Sequence, residues 1–174
     1  MPDAKKTPGI RAGVVPNSYS FAMPEDWSER PLSGPLTGNF CMPRCDEPWT
    51  EFKFEGKEGS AQLVVTDLQK LGSKGGAKLS ALGTPEQVVL RVGNFITGTY
   101  LEEDDVVSAE AAQLNGRDFY VYEVATLYSK TPGHSLAAFT TKGDLAYLFV
   151  VSTSEKQWGA SQGALRKVLD SFKV

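Results

Sequence analysis

Three groups of side chains in this sequence have types and spacings that invite chemistry. The first is the single histidine, His134, which follows Pro132-Gly133 where a loop enters a strand, together with Glu155 in the first turn of the closing helix. An imidazole and a carboxylate brought together across strand ends suit a transition metal such as zinc, although two ligands make only a weak site. A lone histidine at such a position is more often a hydrogen-bonded structural residue. Any Ser-His or Cys-His nucleophile would have to use it, and no nucleophile elbow, phosphate loop or dinucleotide fingerprint accompanies it. The second group is Cys41-Met-Pro-Arg-Cys45, inside a loop rich in Pro and Gly. That spacing lets the two Cα atoms approach to disulfide distance, and so short a closed loop contributes about 2 kcal/mol by chain entropy. Two free thiols are the alternative. A redox-catalytic motif would need Cys-x-x-Cys at a helix start, and a zinc site would need a second ligand pair. The third group is the acidic run Glu102-Glu-Asp-Asp105. It reads as a solvated loop in which only weak calcium or partner binding is conceivable, since EF-hand spacing is lacking.

The bulk properties narrow the classes. The chain has 174 residues, 41% of them apolar and 22% charged, with a net charge of -3. That length suggests one domain with a real core. The charge gives no basic footprint for nucleic acid, and no apolar run approaches the roughly 20 residues of a membrane span. The start, Met-Pro-Asp-Ala-Lys-Lys, has no signal-peptide core and reads as a chain whose targeting segment is gone. Residues 1–17 carry three prolines and no periodicity, so they are expected to be a flexible arm ahead of a single domain at 18–174.

These groups need elements to position them. Ser18–Met23 reads as a first strand stopped by Pro24. Thr50–Glu55 alternates, which predicts Phe52 and Phe54 toward a core and the charges toward water. A turn at Gly56–Gly59 leads to a second strand at Ala61–Thr66. Thr84-Pro-Glu-Gln87 is a helix start with a capping box, and Val88, Val92 and Phe95 share one face. Asn115-Gly116 between Val106–Leu114 and Arg117–Leu127 is a hairpin signal. The last unit is a hairpin turning at Gly143, with the apolar run Leu145–Val151 as its second strand. A Ser154–Gln157 capping box then opens a helix whose stripe is Trp158, Leu165, Val168, Leu169 and Phe172. Strands apolar on both faces belong in a sheet covered on both sides. The expected class is therefore α/β (α+β), a three-layer α/β/α sandwich around a largely antiparallel sheet.

Several of these segments, in this order, resemble the PsbP family. They are Tyr19-Ser-Phe-Ala-Met-Pro24 with Trp27, Tyr120-Val-Tyr-Glu123, His134 with the Gly143-Asp-Leu hairpin, Phe149-Val-Val-Ser152 with Trp158, and Leu169-Asp-Ser-Phe172. The resemblance implies the same α/β/α sandwich, residence in the chloroplast thylakoid lumen after removal of a bipartite targeting sequence, and a non-catalytic role. Its named member is an extrinsic photosystem II subunit that helps retain calcium and chloride at the water-oxidising centre. The sequence departs from that member in its N-terminal arm and in carrying Cys41 and Cys45, where it is similar to cysteine-bearing lumenal paralogues that include accessory and assembly factors. The resemblance thus implies lumenal photosystem or assembly-intermediate proteins as partners, contact with the membrane that is peripheral at most, and no required cofactor. Zinc held in the family by a histidine and an acidic residue maps onto His134 and Glu155, while calcium is the other metal it brings to mind. A thiol switch at Cys41–Cys45, or a metal-binding protein using His134 and Glu155, are the alternative readings.

Overall fold

The computed structural model describes residues 3–4, 19–30, 49–68, 78–97, 101–127 and 133–174. Cys41 and Cys45 lie outside them. In chain order the elements are β1 (Asp3–Ala4), β2 (Phe21–Ala22), β3 (Ser28–Glu29), β4 (Trp49–Gly56), β5 (Gly59–Asp67), α1 (Pro85–Thr97), β6 (Val106–Leu114), β7 (Arg117–Ala125), β8 (Gly133–Lys142), β9 (Leu145–Ser154) and α2 (Glu155–Asp170). Seven strands form one sheet in the order β3-β4-β5-β9-β8-β7-β6. Every neighbouring pair is antiparallel.

The turns follow from residue chemistry. Asn115 and Gly116 have φ of 53° and 82°, the two positive values that a two-residue hairpin of this hand requires. Gly143 supplies φ 61° between β8 and β9. The apolar run of β9 takes the middle of the sheet, paired with β5 on one side and β8 on the other. Its alternate residues serve two cores. Tyr147, Phe149 and Val151 pack with Leu165, Val168, Leu169 and Phe172 of the α2 layer. Ala146, Leu148 and Val150 pack with Val88, Val92 and Ile96 of α1. The helices therefore lie on opposite faces, and the three-layer expectation holds.

Both helix starts are capped, though not in the same way. At α1 the Thr84 hydroxyl accepts from the Gln87 amide at 3.3 Å while the Gln87 side chain accepts from the Thr84 amide at 2.9 Å. At α2 the Ser154 hydroxyl accepts from the Gln157 amide at 3.2 Å, but the Gln157 side chain donates to the Lys57 carbonyl. Half of the expected box is thus replaced by a tie to the β4–β5 turn. Trp27 braces the same turn, its indole N–H donating to Glu58 at 2.7 Å. A Cβ built on Gly56 would overlap that indole, so the hairpin needs glycine there for close approach.

Two expectations fail for local reasons. The strand expected over Ser18–Met23 shrinks to Phe21–Ala22, which joins Asp3–Ala4 in a separate two-stranded ladder. Ser20 instead bridges to Lys173, with reciprocal backbone bonds of 2.9 and 2.8 Å. Phe21 then stacks on Phe52, ring centroids 4.4 Å apart, on the α2 face. In β4 the charges do not all face water. The register shifts between Thr50 and Phe52, and this bulge, which re-aims a side chain, buries Glu51 to 1% exposure. The Tyr19 hydroxyl donates to the Glu51 carboxylate at 3.0 Å.

Candidate functional site

His134 is the second residue of β8, and strand alternation aims it at the α2 face, where it is 5% exposed. The same period puts Glu123 of β7 beside it, on the face that carries Phe119 and Val121. The start of α2 brings Glu155 over the strand end. The His134 Nδ1 lies 2.7 Å from Glu155 Oε2, and its Nε2 lies 3.1 Å from Glu123 Oε2. Arg166, further along α2, donates to the other oxygen of Glu123 at 2.9 Å. Trp158 stacks on the imidazole with ring centroids 3.7 Å apart and planes 10° from parallel. The Arg166 guanidinium sits 5.7 Å above the Trp158 ring, within cation–π range.

Each ring nitrogen of His134 faces a carboxylate. Only the imidazolium offers a donor to both, because the neutral ring has one N–H and one lone pair. In that form two cations and two carboxylates alternate along a short chain, Glu155–His134–Glu123–Arg166, so the charges cancel. The network joins α2 to β7 and β8 by charge-assisted bonds, the stronger class of protein hydrogen bond.

The expected metal pair is brought together, yet the set does not fit a metal centre. Glu155 and Glu123 sit at opposite edges of the ring, so one ion at either nitrogen meets a single carboxylate. Zinc takes three or four protein ligands, and among the described residues no three His, Cys, Asp or Glu side chains converge on one point. Nor, among the described residues, is a nucleophile paired with His134. The Ser135 hydroxyl bonds to that of Ser152 at 2.8 Å, and as the next residue of the strand it points to the opposite face. The acidic run forms a short 3₁₀ turn over Glu103–Asp105, with the Asp105 carboxylate accepting from the Glu102 amide at 3.1 Å.

Residue-by-residue reading of the sequence missed Glu123, Arg166 and the role of Trp158. A signal existed for Glu123, since period two places its charge on the otherwise apolar face of Phe119 and Val121. Trp158 read only as part of the helical stripe.

The PsbP family's sequence profile matches residues 16–174. The chain belongs to the PsbP family. It is 40% identical over 169 residues to PsbP domain-containing protein 6, chloroplastic, of Arabidopsis thaliana, covering 97% of this chain and 64% of that one. It is 28% identical over 164 residues to PsbP domain-containing protein 4, chloroplastic, of the same plant, covering 92% of this chain and 56% of the relative. The chain therefore spans somewhat over half the length of these curated PsbP-domain relatives. Among solved structures, cyanobacterial PsbP (CyanoP) from Synechocystis sp. PCC 6803 matches with a TM-score of 0.61 at 20% identity, covering 90% of this chain and 86% of that one. At that identity the likeness establishes the PsbP-like fold, an α+β sandwich.

Proposed function

We propose that this chain is a non-catalytic accessory or assembly protein of the chloroplast thylakoid lumen, docking on photosynthetic membrane complexes of the photosystem II type. The observation that carries the reading is the 40% identity, over nearly the whole chain, to a chloroplastic PsbP-domain protein. The His134 network supports the non-catalytic part. Both ring nitrogens are engaged by carboxylates of the chain itself, so both are taken up within the fold and not by a substrate. Affinity purification of the tagged protein from solubilised thylakoids is expected to recover photosystem II subunits or their assembly intermediates. Recovery of none of them, under conditions that retain a known extrinsic subunit, would sink the proposal.

A second feature of the proposal is a Cys41–Cys45 disulfide that sets the stability of the loop carrying it. Both ends of that loop are fixed in the sheet. The Arg30 amide donates to the Lys53 carbonyl at 2.7 Å, and β4 opens at Trp49. Thiol alkylation with and without reductant, alongside unfolding midpoints, is expected to show two protected thiols and a midpoint that falls on reduction. Full alkylation without reductant removes the idea.

A further inference from the structure

The strand at one end of the sheet, β6, is nine residues long and, among the described residues, pairs only with β7. An edge strand of this length presents a row of unpaired backbone groups and is a template for another strand. Beside its first half, between Val106–Ala109 and the first turns of α1, runs a groove of about 520 Å³. Three large apolar side chains are exposed among the described residues, and two of them, Leu90 at 42% and Val107 at 55%, line this groove. Its charged members are Glu86 and Glu103. Beside the second half, at Ala111–Gln113, opens a groove of about 830 Å³ whose charged members are Lys78, Arg117, Lys142 and Asp118. One end of the edge is therefore acidic and apolar, and the other has a net positive charge.

We propose that β6 pairs with β6 of a second copy of this chain, antiparallel about a two-fold axis, to form a continuous fourteen-stranded sheet. A two-fold operation lays each acidic end against the partner's basic end, which is the charge complementarity that commits the edge to a copy of itself. An isologous contact of this kind closes at the dimer. It also covers Leu90 and Val107 of both copies. The register follows from Glu110, the midpoint of β6. Centring the axis there would set the two Glu110 carboxylates face to face, which is destabilising. Centring it on Ala111 places each Glu110 opposite Ala112, with small side chains at the middle of the seam.

The test uses two charge-reversed double variants on exposed residues. Glu86→Lys/Glu103→Lys makes both ends basic, and Lys78→Glu/Lys142→Glu makes both ends acidic. Sedimentation at about 100 μM, where a Kd of about 10–100 μM leaves half or more of the chain dimeric, is expected to give a weight-average mass about 1.5 to 1.8 times that of one chain for the wild type. Each variant alone is expected to sediment as a monomer, and an equimolar mixture to regain the dimer. Circular dichroism and unfolding midpoints that match the wild type at about 1 μM, a concentration well below the Kd named above, establish that the variants are folded. Hydrogen exchange of the wild type is expected to slow between residues 108 and 113 as concentration rises. A wild type that stays monomeric, variants that dimerise alone, or a mixture that stays monomeric each overturn the proposal.

Discussion

His134→Ala is expected to lower the free energy of unfolding by about 3 kcal/mol, well above the roughly 1 kcal/mol typical of a point substitution. Three losses combine. Glu123 and Glu155 lose the ring that hydrogen-bonds both of them, and breaking a buried pair by removing one partner costs about 3–5 kcal/mol when the pair is charged and burial is complete. Here Glu123 and Glu155 are 19% and 34% exposed, so water returns part of that. Trp158 also loses the ring stacked on it at 3.7 Å, and a cavity opens at the junction of β8 and α2. Glu155→Gln, which keeps a hydrogen-bond acceptor on Nδ1 and removes one charge, is expected to cost about 1 kcal/mol. Urea unfolding at constant slope measures both. The double variant is expected to be less destabilised than the sum, because the two side chains share one interaction. A loss below about 0.5 kcal/mol for His134→Ala, the range of an ordinary surface change, would show that the network holds nothing together.

Alkaline unfolding is the other large expected effect, and it comes from two tyrosines in the two cores. Burial is the main cause that raises the Tyr19 phenol above its ordinary value, and the Glu51 carboxylate accepting its hydroxyl adds to it. Burial likewise raises Tyr122, with its neighbour Tyr120 adding to the shift; the Tyr122 hydroxyl donates to the Pro85 carbonyl at 3.0 Å. In the unfolded chain both ionise near pH 10. Above that pH the folded state retains protons that the unfolded state releases, so stability is complete below about pH 10 and falls as pH rises beyond it. Each group contributes a slope of about 1.4 kcal/mol per pH unit. Two of them remove about 5 kcal/mol by roughly pH 12, comparable to the whole stability of an ordinary domain. Phenolate absorbance is expected to show Tyr19 and Tyr122, of six tyrosines in the chain, titrating together with the loss of circular dichroism. Ionisation of all six in a chain that keeps its native spectrum would contradict this. Tyr122→Phe is expected to halve the slope while leaving Tyr19 to supply the rest.

Much of the fold was legible because its signals are local. Period-two alternation turned Phe52 and Phe54 toward a core, and the unbroken run of β9 required a layer on each face. Asn115-Gly116, Gly143, Thr84 and Ser154 placed turns and caps by conformational preferences that belong to the residues themselves. The errors arose where a distant partner overrode a local preference. Glu51 belongs to a strictly alternating stretch, and only a bulge stabilised from Tyr19, 32 residues away, turns it inward. Gln157 had a capping bond within reach and took the Lys57 carbonyl, 100 residues distant, in its place. Within the strand expected over Ser18–Met23, Ser20 meets Lys173 and Phe21–Ala22 meet Asp3–Ala4, not the main sheet.

The site divides the same way. The sequence by itself determined that His134 would stand where a strand begins and Glu155 where the last helix begins, because turn and cap residues set those positions. It also determined the PsbP family, through short segments kept in order along the chain. Only the tertiary structure decided the chemistry at His134. Whether an imidazole binds a metal, takes a proton or locks a helix depends on what lies at both ring nitrogens and on both ring faces. Those neighbours come from β7 and from two further turns of α2, at separations that no local pattern records. Glu123 at the second nitrogen, held by Arg166, extends the His134–Glu155 pair into a chain of hydrogen-bonded side chains that ties α2 to β7 and β8.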